Sequence, residues 1–355
     1  GGVAPACVTG GPTNCAVGFA AAGSWGPLLA PGTPTYNHAS EMLQNGYTLD
    51  NSLTVSGGND RTTFFLSGGY SNDRGIVVGD NNKYRRISMR FNGSHRVFDN
   101  LKLGANLAYI DGSGGAVVSR NSTDGLMLGA WRTPPNFNNK PYLDPVTGLH
   151  RSYRFPNPGV GSEQTGRRYD NPFFVANEAK ATTDVSRVLG GITTEFTATP
   201  WLSFAHTLGW DYSNDERLQG FPWTTSNTTV AGTNGVGGVN AGYLKNSQLD
   251  HNLTGTARFR LSSALEASAT LGQNLNVQSF RSRQVVGTGL IAPAPFNLGN
   301  TASRQLPYDF RSTVRLESYF AQLTADVADQ LFLKLGVRND GASTFGENRR
   351  RPWYP

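Results

Sequence analysis

"LKLGANLAYIDGSGG", residues 101–115, carries the reading on which the fold turns. Leu101, Leu103, Ala105, Leu107 and Tyr109 fall on one parity, and Lys102, Gly104, Asn106 and Ala108 on the other. A period of two is a strand with one apolar face. The segment then runs into glycine, serine and aspartate. The question it raises is which medium meets the apolar face, a protein core or lipid.

Composition narrows the choice. Of 355 residues, 37% are hydrophobic and 16% charged, with 43 glycines and 19 prolines. Soluble globular chains run nearer ~45–50% apolar and ~25% charged. Low charge, low hydrophobicity and high glycine disfavour a helical enzyme. They suit an all-β chain whose strands have one polar and one apolar face. The net charge is +6, and the 31 basic residues are scattered without an aromatic-laced basic block. Nucleic acid is therefore not an expected partner. No Lys or Arg precedes Arg61, so the opening "GGVAPACVTG" does not read as a secretory leader. No apolar run is long enough for a membrane-spanning helix. Such runs are not needed by a transmembrane barrel, whose strands hydropathy does not see.

Period-2 segments recur near 49–57, 62–71, 83–94, 101–111, 181–199, 201–213, 247–261, 264–280, 314–327 and 331–340. Their connections alternate. Short ones are "GGND" (57–60), "VFDN" (97–100), "TPW" (199–201), "SS" (262–263) and "ADQ" (328–330). Longer ones are expected at 72–82, 112–180, 214–246 and 281–313. Short turns on one side and long loops on the other are the topology of an antiparallel up-and-down transmembrane barrel. Leu331, Leu333, Leu335 and Val337 alternate with Phe332, Lys334, Gly336 and Arg338. Leu265, Ala267, Ala269 and Leu271 oppose Glu266, Ser268 and Thr270. The apolar face is too thin for a sandwich core, and most segments reach the ~9–11 residues a bilayer crossing needs. Aromatics gather near strand ends: Tyr70, Tyr109, Trp210 and Tyr212 toward the loops, and Phe91, Phe98, Trp201 and Phe259 toward the turns. Two such bands fit the girdles at a membrane's interfaces. The reading is lipid, with an external loop beginning at 112–115.

A resemblance enters at residues 51–91. Ser56-Gly57-Gly58, Asn59-Asp60, Thr62 to Tyr70, Gly75-Ile76 and Tyr84-Arg85-Arg86 stand in the order found in the early barrel of SusC/RagA-type TonB-linked outer-membrane proteins. Residues 316–355, "LESYFAQLTADVADQLFLKLGVRNDGASTFGENRRRPWYP", resemble a second stretch of that family, departing at Asn339 and at Arg349–Arg351. The resemblance implies a TonB-dependent receptor barrel of about 22 strands around a plug. It implies import of bulky oligosaccharides or peptides, energised by the TonB–ExbB–ExbD complex and assisted by a SusD-like surface lipoprotein. No plug, TonB box or final strand is visible here. Residues 1–48 are then expected to be loop before the first complete strand, and 49–355 an internal portion of the barrel, integral to the bacterial outer membrane with its long loops extracellular.

The residues offer no catalytic set, no cofactor motif and no metal site. The five histidines, His38, His95, His150, His206 and His251, are dispersed. "DYSNDE" (211–216) could supply alternating oxygens to calcium, but a solvated turn is the simpler reading, since the glycine and terminal glutamate of a calcium loop are missing. Cys7 and Cys15, the only cysteines, are either a local disulfide outside the membrane or two unlinked thiols. The functional candidates are loop residues: Trp131, Arg132, Tyr142, Tyr153 and Tyr169 in 112–180, and Trp223 in 214–246. Aromatic faces beside donors suit sugars or peptides, and they also suit loops that pack against themselves or against a lipoprotein partner. A secreted β-sandwich of structural or adhesive type is the competing fold and function. A barrel enzyme such as a lipase is disfavoured by the missing nucleophile set.

Overall fold

The computed structural model describes residues 29–115, 124–146, 148, 150–152, 170–226, 235–328, 330–346 and 351–355. Ten long strands dominate: β1 (Tyr47–Gly58), β2 (Thr62–Arg74), β3 (Lys83–Phe98), β4 (Leu101–Gly115), β5 (Lys180–Thr199), β6 (Leu202–Phe221), β7 (Gly238–Ser262), β8 (Leu265–Leu290), β9 (Thr301–Val327) and β10 (Leu331–Ala342). A two-residue β11 (Trp353–Tyr354) follows. They form one antiparallel sheet in strict chain order. No second sheet lies against it among the described residues, which removes the sandwich. No ladder joins β1 to β10 either, so the sheet is open. Beyond β10 the sheet continues only briefly, with Arg338 and Asn339 paired to Tyr354 and Trp353.

The registers show why the sheet has two different faces. One cross-strand row runs Val55, Leu66, Phe91, Leu107, Gly190, Trp210, Leu249, Val277. Other rows of that face run Gly255, Leu271, Ala321, Val337 and Ala257, Ala269, Leu323, Leu335. On the opposite face run Asn92, Asn106, Gly191, Gly209, Asp250, Asn276 and Arg258, Ser268, Thr324, Lys334. The apolar parities of residues 101–111, 247–261 and 331–340 are thus brought onto a single face. Leu53, Leu271 and Leu335 on it are 72%, 67% and 69% exposed. A contiguous apolar face of this extent is foreign to a soluble monomer and suits lipid. Where the face is thin it is filled across strands. The Trp210 ring covers Gly190, and a Cβ at that glycine would lie 2.6 Å from it.

Two expectations about detail are corrected. β6 runs on to Phe221, β7 begins at Gly238, β8 reaches Leu290 and β9 begins at Thr301. The loops expected at 214–246 and 281–313 therefore shrink to 222–237 and 291–300. Beyond the apolar band both faces turn polar, as in Asn214-Asp215-Glu216-Arg217, and alternation loses its contrast while the backbone ladder continues. Phe91 shares a row with Trp210 and so does not belong to the turn-side aromatic band. Trp201 and Phe259 do meet at the turn side, with ring centroids 6.2 Å apart. Turn chemistry explains one tight end: Asn59 Oδ1 accepts from the amides of Arg61 (2.9 Å) and Thr62 (2.8 Å).

The face assignment is tested by a pair of neighbours on β10. In the full-length protein, Leu335→Arg should cost about 2–4 kcal/mol if the side chain sits near the bilayer midplane, and Lys334→Ala on the other face far less. Equal losses in reversible unfolding from lipid would refute the assignment.

Candidate functional site

Among the described residues, the buried apolar ones do not lie between layers of sheet. They gather where the loops meet. Three short helices, α1 (His38–Glu41), α2 (Leu126–Arg132) and α3 (Pro172–Glu178), pack Met42, Leu126, Ala130, Phe173, Val175, Ala176 and Ala179 together, with Val77, Val78 and Tyr142 against them. α3 is specified locally. Asn171 caps it by accepting from the Phe173 amide at 2.9 Å, and Pro172 occupies the first turn. Its far end is capped from the β2–β3 loop, where Asn81 Nδ2 donates to the carbonyls of Ala176 (3.0 Å) and Ala179 (2.9 Å). Gly79, with φ of +98°, brings that loop's backbone against the Ala176 carbonyl.

A polar junction ties this cluster to the β6–β7 loop. The Asn171 amide donates to His150 Nε2 at 2.8 Å, and His150 Nδ1 faces the Thr224 carbonyl at 3.4 Å. One acceptor and one donor make a neutral imidazole of fixed tautomer. Its ring stacks on Phe174 with centroids 3.9 Å apart. Burial pushes the imidazole pKa down to about 3, with the Thr224 carbonyl opposing. Asp170, also buried, accepts from Thr225 Oγ1 and the Ser226 amide, both at 2.7 Å. Burial pushes its carboxyl up to about 7 against those two bonds, and nearby Asp124 adds to the rise. Two titratable groups therefore pin one loop to the other.

The expected site residues divide. Tyr142 donates to Glu178 Oε1 at 2.9 Å, and its hydroxyl pKa is pushed up to about 12, by burial first and then by Glu178. Trp223 Nε1 donates to the Leu290 carbonyl at 3.1 Å. Both residues hold loops together. Trp131 is 62% exposed at the end of α2, beside exposed Arg132. Tyr153, Tyr169, Cys7 and Cys15 lie outside the described residues. "DYSNDE" is part of β6, where Asp211 and Asp215 share a face with Arg187 and Arg217, their ion-pair partners, and Glu216 points to the other. The junction residues His150, Asp170 and Asn171 were not singled out as a site. Their signal was Asn-Pro ahead of an apolar run, the signature of a capped helix start.

No protein-family model matches the chain. In sequence it is similar to TonB-dependent receptor P39 of Formosa agariphila, 24% identical over 87% of this chain and 27% of that protein. It is 21% identical to TonB-dependent receptor P26 of the same organism over 93% of this chain and 30% of that protein. It superposes on the RagAB peptide transporter with a TM-score of 0.67 at 17% identity, over 90% of this chain and 34% of that one. The sheet has the fold of a TonB-dependent receptor barrel. The chain spans less than a third of the length of these curated relatives.

In a TonB-dependent receptor barrel the polar parity lines the interior. Here that face holds a groove of about 410 Å³, lined by Arg187, Asp211, Gln248, Gln278, Phe280 and Val314. Arg187 Nε donates to Asp211 at 2.8 Å across its rim.

Two outcomes test the loop junction. Asp170, with its folded pKa raised, contributes most below about pH 4 and loses that contribution as pH rises toward 7. His150, with its folded pKa lowered, contributes fully above about 6.5 and loses it as pH falls toward 3. The two oppose between about pH 4 and 6.5 and leave a nearly flat profile. Asp170→Asn should make the Asn171 and Ser226 amides exchange more readily as pH falls through that window, after correction for intrinsic rates. His150→Gln should make them exchange more readily as pH rises. Slopes of the same sign would refute the assignment. Separately, Asn81→Ala should loosen residues 172–178 by about 1–2 kcal/mol in the same measurement, since it strands buried carbonyls.

Proposed function

We propose that this chain is part of the wall and loop-side vestibule of an outer-membrane, TonB-dependent importer of bulky nutrients, oligosaccharides or peptides, and that it is not an enzyme. The observation that carries the reading is the single-faced register: ten antiparallel strands place one apolar parity on one side and one polar parity on the other, with every long loop at one end. Such a wall faces lipid outward and a wet lumen inward. The loops, and the segment ahead of β1 with them, are proposed to face the cell exterior. A plug supplied by the rest of the protein closes the lumen, and the TonB–ExbB–ExbD complex moves it with energy from the proton gradient.

The helical cluster α1–α3 with the 222–226 loop forms the vestibule floor. It is too well packed to be a swinging lid by itself, and it presents Trp131 and Arg132 outward. We assign this surface to contact with a SusD-like surface lipoprotein, the partner that the resemblance to SusC/RagA-type proteins implies. Tyr153 and Tyr169 belong to the same loop and are proposed to add to the contact. Cys7 and Cys15 are proposed to form a disulfide on the exterior side.

Uptake tests the function. Cells carrying the full-length gene should take up size-fractionated oligosaccharides or peptides too large for porins. The uptake should vanish on deletion of the gene and on collapse of the proton gradient. Undiminished uptake of every bulky fraction in the deletion strain would overturn the reading.

A further inference from the structure

Past its apolar band, the lipid-facing parity of β7–β9 becomes strongly basic. Lys245 pairs with Arg281, and Arg281 with Arg311, so three cations stand directly opposite one another on adjacent strands. Side chains so placed have Cβ atoms only ~4.5–5.5 Å apart, and like charges there repel. Arg283 stands two residues further on the same face, and Arg315 lies four residues from Arg311 on the band side. A single carboxylate, Asp309, meets both Arg281 (3.1 Å) and Arg283 (3.3 Å). No carboxylate among the described residues pairs with Lys245 or Arg311. Immediately on the band side lies a row of hydroxyls, Tyr212, Ser247, Ser279 and Thr313. Below it comes the row Trp210, Leu249, Val277 and Arg315, where the apolar band ends on β6, β7 and β8.

We infer that this patch binds the phosphate headgroup of an outer-leaflet lipid. The inference rests on the reading of the sheet as an outer-membrane wall. Three features commit it to a lipid. The donors face the same way as the apolar band, not the lumen. The Lys245–Arg281–Arg311 row lies four residues beyond Val277, about 13 Å along the strand, and about 10 Å in height at a tilt near 40°. That is the depth of headgroups above a hydrocarbon core, and long Lys and Arg side chains reach down to it. Finally, hydroxyls and guanidinium groups stacked in adjacent rows are donors in two tiers, which suits a phosphate carried on a sugar or glycerol. Asp309 offsets the charge of Arg281 from one side, and an anion seated between Lys245, Arg281 and Arg311 would relieve the repulsion that remains.

Native mass spectrometry of the full-length protein in detergent provides the test. Lipid A bearing two phosphates is titrated against the same lipid with its phosphates removed. The wild type should prefer the phosphorylated lipid. The combined variant Lys245→Gln, Arg281→Gln, Arg311→Gln should lose about tenfold in affinity for it, the sum expected of three exposed ion pairs, and bind the dephosphorylated lipid as before. Asp309→Asn removes the competing carboxylate and should tighten binding of the phosphorylated lipid. Inorganic phosphate at equal concentration should not displace it; displacement would mean a free anion is the ligand and would overturn the proposal. Equal affinity of wild type and triple variant for the phosphorylated lipid would overturn it too. Mobility of each variant in SDS before and after boiling reports the barrel itself. A wild type whose mobility does not change on boiling refutes the membrane wall, whereas heat-shifting proteins without phosphate preference refute only the site.

Discussion

Backbone pairing governs everything else in this sheet. Ten strands exchange hydrogen bonds only with their sequence neighbours, and side chains alternate with a period of two. A slip of one residue at any ladder would send that strand's apolar set to the lumen and its polar set to lipid. The register is therefore held by the difference between the two media, over rows such as Leu66–Phe91–Leu107, and not by interlocking bulk. This explains why glycine and alanine suffice on the apolar face. Lipid chains fill any gap that a small side chain leaves, whereas a protein core would be left with voids.

The same alternation decided how much of the fold could be read from sequence. Inside the band every strand was legible, because Leu, Val and Phe contrast with Asn, Thr and Arg. Outside it the contrast disappears. Arg281, Ser282, Arg283 and Gln284 are polar on both parities, yet they are the continuation of β8. Their strand character is imposed by pairing with β7 and β9, which hold 25 and 27 residues. Propensity and pattern carry no record of that, so the loops were read too long.

The loop cluster was less legible for a different reason. Its members come from distant places: Asn81, His150, Asn171 and Thr224. Each is a polar residue whose role depends on burial, and burial depends on loops meeting that no local pattern pairs. Aromatic composition drew attention to Tyr142 and Trp223, and both are used for hydrogen bonds between loops. The residues that set the junction's geometry are the quiet ones, an asparagine capping a seven-residue helix and a histidine stacked on Phe174.

The long strands also divide the wall into two mechanical regimes. In the band, cohesion comes from the ladders and from exclusion by lipid. Above it, both faces of the sheet are polar and neither offers an apolar surface to bury. There the ladder is flanked by ion pairs, Arg217 with Asp215 and Arg281 with Asp309, and by the packed helices. Exposed pairs contribute little to stability, so the loop core is what braces the protruding ends of β5 and β6 against the β2–β3 loop. Loops that also hold up the wall are not free to swing independently. The sheet and its loop core form one fixed frame, and under the proposed function any movement that admits cargo would come from elements docked onto it or lying inside the lumen.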